Sequence, residues 1–140
     1  MTDPVVLAQK LAWLREHLER AKRRRAEHFD ALASDVDRQD ALALSVIVIV
    51  QEAIDIAFHI VTDEGWGLPS SYAESFELLA NHGVIEQSLA AALGAAARLR
   101  NRIAHGCASL DAERLWIELP QGLAAFEQYS TVLASWLNRA

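Results

Sequence analysis

The run Ala41-Leu42-Ala43-Leu44-Ser45-Val46-Ile47-Val48-Ile49-Val50-Gln51-Glu52-Ala53-Ile54-Asp55-Ile56-Ala57-Phe58-His59-Ile60-Val61-Thr62 decides the fold. Its first half, Ser45 to Val50, reads alone as a strand, because β-branched residues follow one another. Its second half overrules that reading. Glu52, Asp55 and His59 stand three and four residues apart, which places them on one face of a helix. A helix that is apolar nearly all round, with one polar stripe, belongs at the centre of a domain. The same ionisable residues argue against a membrane span, where an uncompensated carboxylate is costly.

Working outward, Ser34 to Asp40 is polar and opens this central helix. On its N-terminal side, Asp3-Pro4 reads as an N-cap followed by proline in the first turn. Leu7, Leu11, Leu14, Leu18 and Ala21 then recur at spacings of four and three, one apolar stripe on a helix expected to run to about Leu32. On the C-terminal side, Asp63 to Pro69 is a loop rich in turn formers. Ser71 with Glu74 fits a capping box and opens a short helix to about Asn81, stopped by His82-Gly83. A further helix is expected from about Ile85 past Arg102. Leu110 to Leu119 reads as a short piece, and Pro120 as the start of a last helix with Leu123, Phe126, Leu133, Trp136 and Leu137 inward. The expectation is an all-α antiparallel four-helix bundle with additional short helices, a single domain over residues 1–140.

Composition agrees. The chain has 140 residues, 52% hydrophobic and 23% charged, with six Gly and three Pro, which excludes a disordered or collagen-like chain. One cysteine excludes an internal disulfide. No basic start followed by a short apolar run marks a signal peptide, so the expected location is cytoplasmic, without a membrane partner. The net charge of −6 speaks against an overtly basic nucleic-acid binder. The charge is uneven, however: net +2 over residues 1–30, −9 over 31–90 and +1 over 91–140. The basic run Arg20 to Arg25 reads first as a solvated helix face and second as a phosphate-contacting patch. The four tryptophans, Trp13, Trp66, Trp116 and Trp136, read as packing residues, with Trp66 in its loop the one open case.

The segment Arg98-Leu99-Arg100-Asn101-Arg102-Ile103-Ala104-His105-Gly106-Cys107 carries the chemistry. An Ala-rich helix abruptly acquires three arginines, an asparagine and a histidine. At about 100° per residue, Asn101 and Arg102 share a face with His105, while Arg100 lies about 140° away. Arg100 and His105 converge on one anion only if the arginine reaches round, the helix ends near His105, or a two-fold partner completes the site. RNA can be cut without a metal by attack of its own 2′-hydroxyl. That step takes a base, an acid and a cation at phosphorus. Histidine titrates near neutrality and serves as base or acid. Arginine gives bidentate donors to phosphate oxygens. DNA lacks the 2′-hydroxyl, so this chemistry selects RNA.

Arg100-Asn101-x-x-x-His105 resembles the Arg-x4–6-His motif of the HEPN superfamily. Gln51 to Ile60, Leu68 to Leu79 and Gly83-Val84-Ile85 resemble segments of its HepT-like branch, in order and at similar spacing. The resemblance implies an α-helical toxin ribonuclease of a toxin–antitoxin pair. It also implies a homodimer with the two motifs meeting at the subunit interface, or a higher oligomer with an MntA-like nucleotidyltransferase antitoxin. Arg100 and His105 are then the catalytic pair. Asn101, Asp55 and Glu52 are supporting residues, the carboxylates as ion-pair partners of Arg98 or Arg100. Arg102 and Arg98 contact the RNA backbone. No metal and no cofactor are expected, the spacing of Glu52, Asp55 and His59 with the other histidines being wrong for a bundle metal site. The sequence departs from the family at Cys107, which stands where the fuller motif has the tyrosine that accepts AMP from the antitoxin; the open routes to neutralisation are blocking of the site by a bound antitoxin or modification of another hydroxyl, such as Ser109 or Tyr72. Two other readings remain: a non-catalytic HEPN module holding RNA or a nucleotidyltransferase partner, and a structural dimerisation domain.

Overall fold

The computed structural model describes residues 1–105 and 111–139, with the backbone alone at His105. Six helices follow one another: α1 (Pro4–Arg25), α2 (Phe29–Ala33), α3 (Val36–Glu64), α4 (Tyr72–Asn81), α5 (Gln87–His105) and α6 (Ala112–Arg139). Four are long and two short, and no strand occurs among the described residues. The all-α expectation is met.

The central helix α3 packs against all five others. Its length and composition would let it cross a membrane. Its apolar residues are spent on the core instead: Leu42, Ile49, Val50, Ile56, Ile60 and Val61 are all buried. The α1 stripe Leu7, Leu11, Leu14, Leu18 and Ala21 joins the same hydrophobic cluster, as do Leu123, Phe126 and Leu133 of α6. Trp136 and Leu137 are only partly buried at its margin. Tyr129, fully buried, donates its hydroxyl to the Ala53 carbonyl of α3 at 2.9 Å. A buried hydroxyl without that acceptor would be costly.

Local signals set several boundaries. Asp3 accepts from the Val5 and Val6 amides ahead of Pro4, and Ser71 accepts from the Glu74 amide. The Glu74 carboxylate departs from the capping-box form: it accepts from the Ser70 amide (3.0 Å) and hydroxyl, one residue before the cap. Gly65 takes a left-handed conformation, φ 72°, and ends α3. Trp66 donates its amide to the Val61 carbonyl at 2.9 Å, closing the turn as a Schellman motif does.

Two boundaries overturn the sequence expectation. The first helix stops at Arg25, not Leu32, and Ala26 bridges to α2 with φ 69°. No local breaker is present. The cause lies on α3, where Arg38 Nη1 donates to the last-turn carbonyls of Arg23 (3.0 Å) and Arg24 (3.2 Å). Arg24 in turn donates to the Ala41 carbonyl and the Ser45 hydroxyl. The second concerns Pro120, which lies inside α6 instead of starting it. Proline has no amide to offer the carbonyl four residues back, here Trp116. Arg25 Nη2 fills that vacancy at 3.1 Å, and its guanidinium lies over the Trp116 ring, 3.6 Å from the centroid.

Candidate active site

The expected catalytic residues lie at the C-terminal end of α5, which runs unbroken from Gln87 to His105. Regular helical geometry therefore keeps Arg100 and His105 about 140° apart. Arg100 is half-buried, and its Nη1 donates to Asn101 Oδ1 at 3.2 Å. Its Nε is buried and meets no acceptor among the described residues. An arginine donor withheld from both water and protein is uncommon, because its desolvation is uncompensated. The His105 side chain, Gly106, Cys107 and Ser109 lie outside the described residues.

The flanking arginines behave differently from each other. Arg102 Nη2 meets Glu118 Oε2 of α6 at 3.3 Å, and Glu118 Oε1 is held by Arg114 Nε at 3.0 Å. Arg98 is exposed and pairs with no described carboxylate. Arg98 and Arg102 both line a groove of about 410 Å³ between α5 and α6, floored by Ala92, Ala95 and Ala96. The Glu118 link went unread in the sequence. Its signal was the Arg114/Glu118 spacing of one helical turn.

The expected pairing of Glu52 and Asp55 with Arg98 or Arg100 does not form. Both carboxylates face α1 instead. Asp55 pairs with Lys10, and Glu52 with His17 Nδ1 at 3.0 Å. Burial raises the Glu52 pKa, and the charge of His17 opposes that rise. The reason for the misreading is geometric: a polar stripe gives the face of a helix but not the neighbour that covers it. His17, which no motif singles out, is the partner that Glu52 needs. His59, third on the stripe, lies 3.3 Å from Asp63. Among the described residues, no three His, Cys, Asp or Glu side chains gather as a metal site would require. Trp13, expected to pack, is 57% exposed beside the Glu52 and Asp55 carboxylates. Trp66 stacks on His82, ring centroids 4.1 Å apart.

The basic run at the end of α1 is largely committed to the fold. Arg20 pairs with Glu16, and Lys22 with Glu19 and Glu127. Arg24 and Arg25 hold α3 and α6 as described. Arg23 alone of the run has a side chain without a partner among the described residues.

With this arrangement in view, residues 14–133 match the Ribonuclease HepT-like family. The chain belongs to the HepT-like ribonuclease family. It is 32% identical over 99 residues to the mRNA nuclease HepT of Shewanella oneidensis, covering 71% of this chain and 74% of that one. It is 24% identical over 135 residues to the tRNA nuclease HepT of Aphanizomenon flos-aquae, covering 96% and 92%. Among solved structures, the tri-AMPylated Shewanella oneidensis HEPN toxin in complex with MNT antitoxin superposes with a TM-score of 0.85. That match is at 27% identity and covers 96% of this chain and 99% of that one. The cytosolic protein YutE of Bacillus subtilis shares the fold at a TM-score of 0.82 and 14% identity, covering 99% and 92%.

Proposed function

We propose that this HepT-like chain is the toxin of a toxin–antitoxin pair and a metal-independent endoribonuclease. It works in the cytoplasm as a homodimer, held in check by an MNT-type nucleotidyltransferase antitoxin. His105 serves as the base or acid for 2′-hydroxyl attack, and Arg100 stabilises charge on the phosphate. Asn101 orients Arg100. Arg102 meets the RNA backbone, and Arg98 meets the strand beside it.

One observation carries this reading. Arg100, in the motif position, has a buried donor with no acceptor among the described residues. An RNA phosphate or a second copy of the chain supplies that acceptor once the half-buried side chain swings outward to meet it. The helical geometry favours the same conclusion, because two motifs brought together across a two-fold axis place Arg100 of one copy near His105 of the other. Cys107 in the tyrosine position is a poor acceptor for AMP, so the antitoxin restrains this toxin by covering the site.

The test is purified protein, freed of antitoxin, with RNA in a chelating buffer. Cleavage to 2′,3′-cyclic phosphate ends is expected, reduced about 10²–10⁴-fold by His105→Ala. Intact RNA, or equal cleavage by the variant, refutes the reading.

A further inference from the structure

A second groove lies on the other side of Arg98, between α4 and α5, with a volume of about 410 Å³. That falls within the range of small-ligand pockets, roughly 300–1,000 Å³. Its floor carries almost no side chain. Gly94 lies there with alanines of both helices, and a Cβ at Gly94 would stand 3.7 Å from Ala73 Cβ and 3.8 Å from Arg98 Nη1. The Arg98 guanidinium is thus folded back one turn over Gly94, into the groove. Glu77 of α4 lines the same groove, one turn beyond Ala73. Asn81 accepts from Gln87 Nε2 at 3.1 Å and closes the far end.

Glu77 and Arg98 are opposite charges in one groove, yet they do not pair with each other. Neither has a hydrogen-bond or ion-pair partner among the described residues. Two open, opposite groups above a flat apolar floor suit a planar ligand that offers paired donors on one edge and paired acceptors on another.

We propose that this groove binds a guanine base of the RNA strand, with Glu77 and Arg98 reading it. Guanine presents N1–H and N2–H to a carboxylate, and O6 and N7 to a guanidinium. Adenine turns an acceptor, N1, toward the carboxylate and a donor, N6–H, toward the guanidinium. Uracil has a single donor between two acceptors, and cytosine has no N–H at N3. Only guanine satisfies both protein groups. The placement fits the nuclease reading, on which the assignment of the ligand as RNA rests. Arg98, Arg102 and His105 follow at one-turn intervals on one face of α5, and the groove floor at Ala91 and Gly94 lies about 16–21 Å along the helix from His105. A strand with guanosine in the groove therefore runs its neighbouring phosphates along Arg102 toward His105.

Two measurements test this on the full chain. The first is cleavage of oligonucleotides carrying one G, A, C or U at each position. The second is titration with guanosine and adenosine monophosphates, followed by NMR. A single good bidentate pair discriminates bases by roughly 5–150-fold. Wild-type protein is expected to prefer guanosine by tenfold or more in both, and Glu77→Gln to lose that preference. Glu77 is exposed, so the variant keeps its fold, which circular dichroism checks. Cleavage without a guanosine preference, or a preference that survives Glu77→Gln, overturns the proposal. Protein that cuts no RNA but binds the guanosine nucleotide, in a Glu77-dependent way, overturns the nuclease reading and upholds the groove.

Discussion

Replacing Arg25 by Ala removes two interactions at once. The first is a charge-assisted hydrogen bond to the Trp116 carbonyl at 3.1 Å. The second is the stack on the Trp116 ring at 3.6 Å. A hydrogen bond to a charged group contributes about 1.5–3 kcal/mol, and a cation–π contact about 0.5–2 kcal/mol. The two share one side chain and do not add in full, so the expected loss is roughly 2–4 kcal/mol. For a chain of this size that lowers Tm by roughly 5–15 °C. The reasoning makes a sharper claim than instability. Pro120 leaves the Trp116 carbonyl without its intrahelical donor, and Arg25 supplies the replacement. Pro120→Ala restores an amide at position 120, so the carbonyl no longer depends on Arg25. In that background Arg25→Ala should cost at least 1 kcal/mol less than in the native sequence. Denaturant melts of the four proteins close the cycle. Costs that add within about 0.5 kcal/mol would refute the coupling. Arg25→Lys keeps the charge but loses the planar fork, and is expected to recover only part of the loss.

Other predictions follow from the same contacts. Tyr129→Phe removes the buried hydrogen bond to the Ala53 carbonyl, which keeps its donor within α3, and should cost about 0.5–1.5 kcal/mol in a denaturant melt; an unchanged midpoint refutes it. Burial raises the Glu52 pKa above its unfolded value, so the folded state binds the extra proton, and stability falls as pH rises from the unfolded value through the folded one. Glu52→Gln removes that slope, so the Tm of the variant relative to wild type should rise from pH 4 to pH 6, and a constant or falling difference refutes it. Arg100→Lys keeps a charge but not a bidentate fork, and should reduce RNA cleavage at least tenfold with the fold intact; full activity would show that no fork is needed.

The parts of the fold that were legible depend on neighbours in sequence. The α1 stripe, the Asp3 and Ser71 caps and the apolar α3 follow from spacing of three and four, or from a cap residue two to three positions away. The parts that were not legible depend on partners far along the chain. The break at Ala26 is set by Arg38, which arrives with α3. Pro120 inside α6 is tolerated because Arg25, remote in sequence, meets the orphaned carbonyl. Proline at a helix start is the commoner local solution, and nothing near Pro120 announces the exception. The candidate site divides in the same way. Arg100 and Asn101, adjacent in sequence, do meet as a hydrogen-bonded pair. Glu52 and Asp55 were assigned to the wrong helix, since their stripe could face α1 or α5 equally well. Glu77 carried no motif of its own, and only the pairing of α4 with α5 brings it beside Arg98.

The electrostatics of RNA binding then become testable as a count. A net charge of −6 with ten of the acidic residues between 31 and 90 leaves few cations to meet RNA. Most of the basic run at 20–25 is already bound to Glu16, Glu19, Glu127, Ser45 and the Trp116 carbonyl. On the proposed reading, RNA is met by the α5 cations Arg98, Arg100 and, in exchange for its Glu118 pair, Arg102, at most six in a dimer. For single strands, affinity falls with salt at a slope near 0.7 per phosphate neutralised, so log K against log salt should slope no more steeply than about −4. Recruiting the 20–25 run from both copies would add ten cations and steepen the slope toward about −11. A slope beyond about −6, measured with an uncleavable 2′-deoxy strand, would show that the run leaves its carboxylates to bind RNA. The surface pairs would then have been weak enough to exchange, and the restriction of RNA contact to α5 would be wrong. A shallow slope would tie recognition to few phosphates and leave discrimination among RNAs to contacts with the bases.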